Sequence, residues 1–222
     1  MNSLLAPLPE AQSRTEVVAE VVRQAILSQR MRPGDTLVER RIAEELGVSK
    51  TPVREALIVL QQSGLVTVGS NRRLSVTSLT LDDVVLIYEE RVLLEAWALR
   101  NAELNKTIIA RADQALKEAQ QASKEGKRTE EVLANRRFHR TLYSTCHNSY
   151  IIRSLDALQD LTSLAVATVL WKESSEDPKL EHEEHGEILE AAALGDLPHA
   201  ASLIADHIRL SVVGKVENEV RL

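Results

Sequence analysis

The chain has 222 residues, of which 44% are hydrophobic and only 3% aromatic, and its net charge is −6 at pH 7. This length predicts one or two domains, and the aliphatic composition predicts a mainly α-helical core. The single cysteine, Cys146, excludes an intramolecular disulfide framework and is typical of a reducing compartment. No apolar run reaches the ~18 residues that span a bilayer, and no secretion signal is apparent. We therefore expect a cytoplasmic protein without a membrane partner.

The charge is distributed unevenly along the chain. Residues 1–78 contain 10 Lys and Arg against 8 Asp and Glu, a net charge of +2, whereas residues 79–222 contain 17 against 25, a net charge of −8. This asymmetry places a nucleic-acid surface in the N-terminal part. Because +2 is modest, DNA affinity should depend on the local placement of cations and on dimerisation, and it should fall strongly with salt.

Residues 39–66 read as two short helices joined by a tight turn. The apolar spacing of the first helix ends at Gly47, a residue suited to the left-handed position that closes a helix. Pro52 is tolerated in the first turn of the second helix, whose start presents free backbone N–H groups and a positive dipole end to phosphate. The side chains that we expect to face DNA here are Arg40, the N-cap residue Ser49, Lys50, Thr51 and Arg54.

A predicted hairpin follows these helices. Two short β-like runs at 65–68 and 74–77 flank a polar, basic turn, which is the pattern of the wing in a winged helix-turn-helix. A single arginine at such a turn is usually a solvated surface charge. Several cations on one surface favour contact with a minor groove or with phosphate instead. The expected wing-tip contacts are Ser70, Asn71, Arg72 and Arg73.

Three strings give this part of the chain a family likeness: RPGDTL at 32–37, GVSKTPVREAL at 47–57, and Asn71 followed by Arg72. With them, residues from about 15 to 77 resemble the DNA-binding domain of the GntR family of bacterial repressors, which implies the groove-facing residues given above. Two residues depart from the family pattern. Lys50 stands where arginine is commoner, so a two-point guanine contact becomes a point-charge contact with softer base discrimination. Arg73 stands where the family has glycine, so the wing turn is held by Asn71 or has another shape.

The rest of the chain reads as an antiparallel bundle of six helices. Thr80 with the acidic residues that follow it marks the first N-cap. We therefore divide the chain into a disordered tail at 1–12, a winged helix-turn-helix at 13–78 and an all-helical domain at 79–222. Apolar spacing, together with stops that include Pro178, predicts bundle helices at 81–104, 107–125, 128–146, 149–173, 180–194 and 197–217.

Polar side chains occupy bundle positions where the periodicity predicts core. His139, His185 and His207 fall on the apolar faces of three predicted helices, with Asn135 one turn before His139. One such histidine is usually a hydrogen-bonded core residue. Three imidazoles and an amide without a shared partner would cost about 1–3 kcal/mol for each unsatisfied group. A divalent metal, Zn²⁺ or Ni²⁺, is the economical partner, because neutral imidazole suits both ions.

The C-terminal part also has family signatures in order along the chain: RVLLE at 91–95, Phe138-His139, EHGEI at 184–188 and Asp206-His207. With these it resembles the FCD ligand-binding domain of the FadR subfamily of GntR regulators, and its six-helix count resembles the VanR-like branch.

The resemblance implies a metal held by Asn135, His139, His185 and His207, and a small carboxylate effector that also touches the metal. Asn135 stands where metal-dependent members have Asp. The ion would therefore keep its full +2 charge, which weakens metal binding and strengthens the attraction of an anionic effector. Arg91, which we expect to point inward, is the candidate second contact for that anion.

Three functions remain open. The favoured one is an effector-responsive repressor that binds a pseudo-palindromic operator as a homodimer. The others are an architectural DNA binder with a structural metal and a metal-dependent hydrolase, for which Glu95 is the only plausible general base. His182 could compete as a metal ligand, and the acidic residues 181–184 read as a solvated helix start. We expect packing or dimer-contact roles for Trp97, Trp171 and Cys146, and surface or helix-end positions for His147 and His199.

Overall fold

The structure, a computed structural model, describes residues 13–69, 72–170 and 178–219, with side chains at 13–69, 72–170 and 180–212. Within these ranges the chain forms nine α-helices and one two-stranded antiparallel sheet, which confirms the mainly α prediction. No helix in these ranges is long and apolar enough to cross a membrane. The predicted disordered tail at 1–12, the wing-tip residues Ser70 and Asn71, and Trp171 lie outside the described residues.

The first three helices and the hairpin form a winged-helix unit, as the sequence predicts. Ser13 begins the first helix with a reciprocal capping box to Glu16, and Gly47 ends the second helix in the left-handed conformation at φ +64°. In the hairpin, Val66 pairs with Val76 across the two strands. The elements are α1 (Arg14–Leu27), α2 (Glu39–Leu46), α3 (Lys50–Gln62), β1 (Val66–Val68) and β2 (Leu74–Val76).

Six further helices form the C-terminal bundle. Thr80 begins the first of them with a capping box to Asp83, as its sequence predicts. In the bundle, α5 packs on α6 and α8, while α4 packs on α7 and α9. The helices are α4 (Leu81–Arg100), α5 (Lys106–Lys124), α6 (Arg128–Tyr143), α7 (Ser149–Ala165), α8 (Pro178–Ala193) and α9 (Leu197–Glu219).

Some helix ends differ from the predictions. The helix predicted to run to residue 104 ends at Arg100, because Asn101 takes the C-cap and its side chain donates to the carbonyl of Trp97. Pro178, expected to separate two helices, is instead the first residue of α8, a position where its missing N–H costs nothing. A π-helical turn, Val166–Leu170, continues α7.

The two units share part of their cores through α7. Leu164 is fully buried in the apolar cluster of the winged-helix unit, together with residues of α1 and α3 such as Ile26 and Leu57. At Gly64, which follows α3, a Cβ atom would lie 2.9 Å from Cδ2 of Leu161. The backbone of the winged-helix unit at Gly64 therefore lies so close to α7 that the Leu161 side chain would have to shift to admit a Cβ atom.

Candidate metal centre and nucleic-acid interface

Three buried imidazoles converge inside the bundle. His139 lies on α6, His185 on α8 and His207 on α9, and each is no more than 5% exposed. The Nε2 atom of His185 is 3.2 Å from Nε2 of His139 and 3.0 Å from Nε2 of His207. Two ligands at about 2.0–2.1 Å from one ion, separated by roughly 90–110°, lie about 2.9–3.4 Å apart. The spacing of these nitrogens therefore matches that of ligands around a single cation.

Carboxylates orient two of the three rings. Nδ1 of His139 lies 2.8 Å from Oε2 of Glu95, and Nδ1 of His207 lies 2.7 Å from Oε2 of Glu184. A carboxylate beside Nδ1 requires that nitrogen to carry the proton when the ring is neutral, so the Nε2 lone pair is free. Carboxylate–histidine pairs of this kind fix the orientation of metal-ligating rings and raise their basicity.

This arrangement fits a metal ion better than it fits a network of hydrogen bonds. The Nε2 lone pairs of His139 and His207 both point at Nε2 of His185, which can supply one proton at most. Within the described part of the chain, Nδ1 of His185 is buried and has no protein partner. A cation shared by the three Nε2 atoms would remove the repulsion between these lone pairs. The three histidines could therefore hold a metal.

The pKa values of His139 and His185 favour the same role. Burial lowers the pKa of His139, and this effect outweighs the opposing influence of Glu95. Burial, reinforced by His207 and His139, lowers the pKa of His185 well below its usual value. Both rings are therefore neutral at neutral pH, which is the protonation state that binds metal.

Glu95 is the centre of a buried polar network. Its Oε1 accepts from Nε of Arg91 at 2.7 Å and from Nε2 of Gln159 at 3.1 Å, while its Oε2 faces His139. Burial alone would raise the pKa of Glu95, but the Arg91 guanidinium and His139 together lower it to about 2. A carboxylate so acidic and so fully bonded is a poor general base. The structure thus makes Glu95 a group that orients His139, and it places Arg91 inward, as predicted.

Asn135 precedes His139 by one helical turn, and His182 precedes His185 by three residues, but the contacts of both lie outside the three-histidine cluster. Nδ2 of Asn135 donates to Oε1 of Glu181 at 2.9 Å, while its Oδ1 is buried without a protein partner among the described residues. Nε2 of His182 lies 3.8 Å from Oε1 of Glu131, so this ring has another carboxylate as its neighbour.

The expectation that residues 181–184 form a solvated helix start is confirmed for Glu183, which is exposed, but is wrong for Glu181 and Glu184. Glu184 orients His207 and Glu181 accepts from Asn135, because α8 packs with this end against the bundle. His147 and His199 are exposed, as predicted, and Cys146 is buried in the core of the bundle.

The predicted DNA-facing side chains of the helix-turn-helix share one exposed surface at the start of α3. Lys50, Thr51 and Arg54 are exposed on its first turns, beside the exposed Ser49. Ser49 occupies the N-cap position, but its hydroxyl makes no capping hydrogen bond, contrary to the expectation for this residue type. The side chain of Arg40 on α2 is 73% exposed, with Glu44 at 3.6 Å.

An acidic partner that the sequence did not reveal holds Arg54. Nε of Arg54 donates to Oε1 of Glu39 at 3.0 Å, and its Nη2 donates to Oε2 at 3.0 Å. These residues are 15 positions apart and lie on α2 and α3. Their meeting depends on how the two helices cross, which helical periodicity does not predict.

Among the described residues of the wing, Arg72 has a left-handed backbone, with φ +59°. The amide of Gly69 donates to the carbonyl of Arg73 at 2.9 Å, and the amide of Arg72 donates to the carbonyl of Gly69 at 2.9 Å. Arg72 thus takes a backbone conformation that glycine often supplies, while Arg73 follows it. Both arginines are exposed. The expected contacts Ser70 and Asn71 lie outside the described residues.

Comparison with known proteins gives the same two units. The profile of bacterial regulatory proteins of the gntR family matches residues 14–76, and the profile of the FCD domain matches residues 86–210, more than half of the chain. The chain belongs to the GntR family. It is a DNA-binding transcriptional regulator with an FCD domain, and the three histidines lie within that domain. The family consists of transcriptional regulators rather than enzymes. The alternative that this protein is a metal-dependent hydrolase is therefore wrong.

Individual relatives agree with this assignment. The HTH-type transcriptional regulator YdhC of Bacillus subtilis is 30% identical over 143 residues, which span 63% of this chain and 64% of YdhC. The Glc operon transcriptional activator of Escherichia coli K12 is 28% identical over 219 residues, covering 87% of this chain and 85% of that protein. The crystal structure of a GntR transcriptional regulator from Rhodococcus sp. RHA1 has the same fold, with a TM-score of 0.76 at 24% identity, covering 93% of this chain and 99% of that one.

Proposed function

We propose that this regulator is a ligand-responsive repressor. In this proposal a homodimer in the cytoplasm binds a pseudo-palindromic operator, and a small carboxylate bound at the histidine centre changes the affinity for that operator. The observation that carries the proposal is the convergence of three Nε2 atoms, two of them on carboxylate-oriented rings, inside the FCD domain. Occupation of an operator by the dimer would exclude other proteins from the same DNA, which gives repression.

The charge of the centre favours an anionic ligand. A divalent ion such as Zn²⁺ or Ni²⁺, when bound, would supply a positive charge with open coordination positions. The three imidazoles are neutral ligands, and Asn135 offers an uncharged oxygen as the fourth. No ligand would then reduce the charge of the ion. Arg91, 3% exposed and next to Glu95, adds a second cation near the same place. A small carboxylate would satisfy both.

The winged-helix unit would read DNA through the start of α3 and the wing. Arg54 and Thr51 offer hydrogen bonds to base edges, while Lys50 offers a point charge. Arg40, Ser49 and the wing arginines would contact the backbone, which fixes register without reading sequence. One unit reads a half-site, so a specific operator requires two units at a fixed spacing.

An exposed apolar stripe on α4 supports the dimer. Leu86, Leu93 and Trp97 are 63%, 71% and 40% exposed and fall on one face of the helix. If two copies of α4 packed antiparallel about a two-fold axis near residue 91, Asp82 of one would lie opposite Arg100 of the other. Leu86 would then lie opposite Trp97. Matched contacts of this kind near the two ends of α4 are what an isologous dimer needs. Leu93→Glu is expected to shift the protein from dimer to monomer in light scattering.

The central test works without a known operator sequence. DNA selected from a randomised library by the zinc-loaded protein serves as the target, and small carboxylic acids are screened for release of that DNA. We expect one divalent ion per chain and release by at least one acid class. His139→Ala should lose both properties, whereas the exposed control His199→Ala should keep both. Wild-type protein without bound metal, together with a His139→Ala variant that still responds to the acid, would refute the proposal. DNA affinity unchanged by every acid would favour the architectural alternative.

A reporter gene placed behind the selected DNA gives the sign of regulation. Deleting the regulator should raise expression of the reporter. A fall in expression would make the protein an activator, like its relative at the Glc operon.

A further inference from the structure

Two adjacent residues of α7 connect the histidine centre to the winged-helix unit. Nε2 of Gln159 donates to Oε1 of Glu95 at 3.1 Å, and Glu95 orients His139. The next residue, Asp160, accepts from Nε of Arg23 on α1 at 3.0 Å. One peptide step in a regular helix thus separates the contact with the centre from the contact with the DNA-binding unit.

Asp160 joins two arginines that come from different units. Its Oδ2 faces Nε of Arg23, and its Oδ1 lies 2.7 Å from Nη2 of Arg136 on α6. Asp160 is 1% exposed, while the side chains of Arg23 and Arg136 are 15% and 21% exposed. A carboxylate at this depth needs charged partners to offset its lost hydration, so its position depends on both arginines.

Through Arg136 on α6, Asp160 is also connected to the histidine centre. Arg136 precedes His139 by three residues, so both side chains project from neighbouring turns of α6. A displacement of α6 at His139 would therefore reach Asp160 through Arg136, and a displacement of Glu95 would reach it through Gln159. Both displacements therefore reach the winged-helix unit through Asp160.

Beside Asp160, the surface of α7 is packed tightly against the winged-helix unit. Leu161 touches the backbone at Gly64, and Leu164 is buried in the core of that unit. Close packing on both sides means that α7 cannot move relative to the bundle without moving α1 and the end of α3 as well. The ion pair from Asp160 to Arg23 adds a directional, charged contact to this apolar one.

We propose that Asp160 couples occupancy of the histidine centre to the winged-helix unit, through Gln159 and Arg136 on one side and Arg23 on the other. This inference rests on the proposed metal centre. A bound ion would fix the His139 ring, and Glu95 and Gln159 would shift with that ring. The ion pair between Asp160 and Arg23 would change as a result. Because coupling between two sites is reciprocal, operator binding changes metal affinity by the same factor that metal binding changes operator affinity.

Hydrogen–deuterium exchange of the full-length dimer tests this coupling with Zn²⁺ alone as the probe. In the wild type, zinc should change amide exchange in α1 by about fivefold or more relative to the metal-free protein. Arg23→Gln breaks the contact with Asp160, and Gln159→Leu breaks the contact with Glu95. Both variants should bind zinc yet show less than about a twofold change in α1.

Glu20→Gln is the matched control. It removes the other ion pair of Arg23, at 2.6 Å and within α1, and leaves the contact with Asp160 in place. It should keep the wild-type response. An Arg23→Gln variant that binds zinc and keeps the full response in α1 would overturn the coupling while leaving the metal centre intact. So would a wild-type protein in which zinc protects α6 and α8 but not α1. Wild-type protein that takes up no zinc would overturn the metal centre and this inference together.

Discussion

Glu39 holds Arg54 by two parallel hydrogen bonds, from Nε to Oε1 and from Nη2 to Oε2, each 3.0 Å long. A guanidinium held along one edge presents its remaining N–H groups in a fixed direction. If the protein reads DNA through α3, as we propose, Glu39 positions Arg54 for that contact. The side chain of Glu39 is 26% exposed and that of Arg54 is 65% exposed, so the pair lies where DNA can reach it.

Glu39→Gln is expected to soften base discrimination rather than abolish DNA binding. A released Arg54 could contact several acceptors, so the preference for one base at its position should fall roughly fivefold in sequences selected from a randomised library. Glu44→Gln is the control, because Glu44 faces the exposed Arg40 at 3.6 Å. It should leave the selected sequence unchanged. Equal base preferences in Glu39→Gln and wild type would show that Glu39 does not position Arg54.

Asn135→Asp should have two opposite effects if Asn135 is a ligand of the proposed metal centre. With metal, the added negative charge should raise zinc affinity roughly tenfold, measured by competition with a chromophoric chelator. Without metal, the new carboxylate faces Glu181, to which Asn135 now donates at 2.9 Å. The free energy of unfolding of the metal-free protein should therefore fall by on the order of 1–3 kcal/mol. Asn105→Asp is the control: Asn105 is the exposed N-cap of α5, a position where Asp caps as well as Asn, so this change should neither raise zinc affinity nor lower stability.

The metal-free protein should lose stability as the pH falls below about 6.5. The pKa values of His139 and His185 are lowered by burial from a usual value of 6.5, so the unfolded chain binds protons first. Their contribution to stability is complete above that pH and is lost as the pH falls towards their folded-state pKa values. Urea unfolding at several pH values measures this loss. His185→Phe should flatten the dependence, and an unchanged slope in that variant would contradict the assignment.

Glu95 adds a second acid-sensitive contribution at lower pH. Its folded-state pKa of about 2 lies below the usual 4.5, so its stabilisation is present above pH 4.5 and is lost as the pH falls towards 2. The difference corresponds to on the order of 3 kcal/mol.

Gly64→Ala should weaken the contact between the two units. At this residue φ is +77°, and an added Cβ would lie 2.9 Å from Leu161. Gly126→Ala is a close control, because φ there is +67° and nothing lies within 4 Å of an added Cβ. Both variants carry the strain of a left-handed alanine, about 1–2 kcal/mol. Gly64→Ala should lose roughly 1–3 kcal/mol more in urea unfolding, and equal losses would show that Leu161 yields without cost.

Most of the architecture is predictable from the sequence because local rules govern it. The capping box at Thr80 and the left-handed Gly47 both lie where their residue types indicate. The burial of the three histidines is predictable because a polar residue on an apolar helix face must be buried with that face. The prediction for Pro178 is wrong because proline both ends helices and begins them, and only the neighbouring structure decides between these roles.

The parts of the candidate site that the sequence does not predict are contacts between helices. Glu184 precedes His185 by one residue, so periodicity places it off the buried face, yet its carboxylate reaches Nδ1 of His207 on α9. Glu39 and Arg54 meet only because of the angle between α2 and α3. Periodicity predicts that Asp160 lies in a helix, but it does not distinguish burial against the bundle from burial against another unit. Each of these contacts depends on tertiary packing, which the periodicity of a single sequence does not predict.

The burial of Leu164 in the winged-helix unit limits how the gene segments for the two units can recombine. The winged-helix unit completes its apolar interior with a side chain that lies far beyond β2 in the chain, on α7. If residues 13–78 were transferred to a different effector-binding half, that interior would be open unless the new partner supplied an aliphatic residue of matching shape. Recombination between paralogous regulators would therefore succeed mainly among halves that share this complement, so the two parts of the gene should be inherited together.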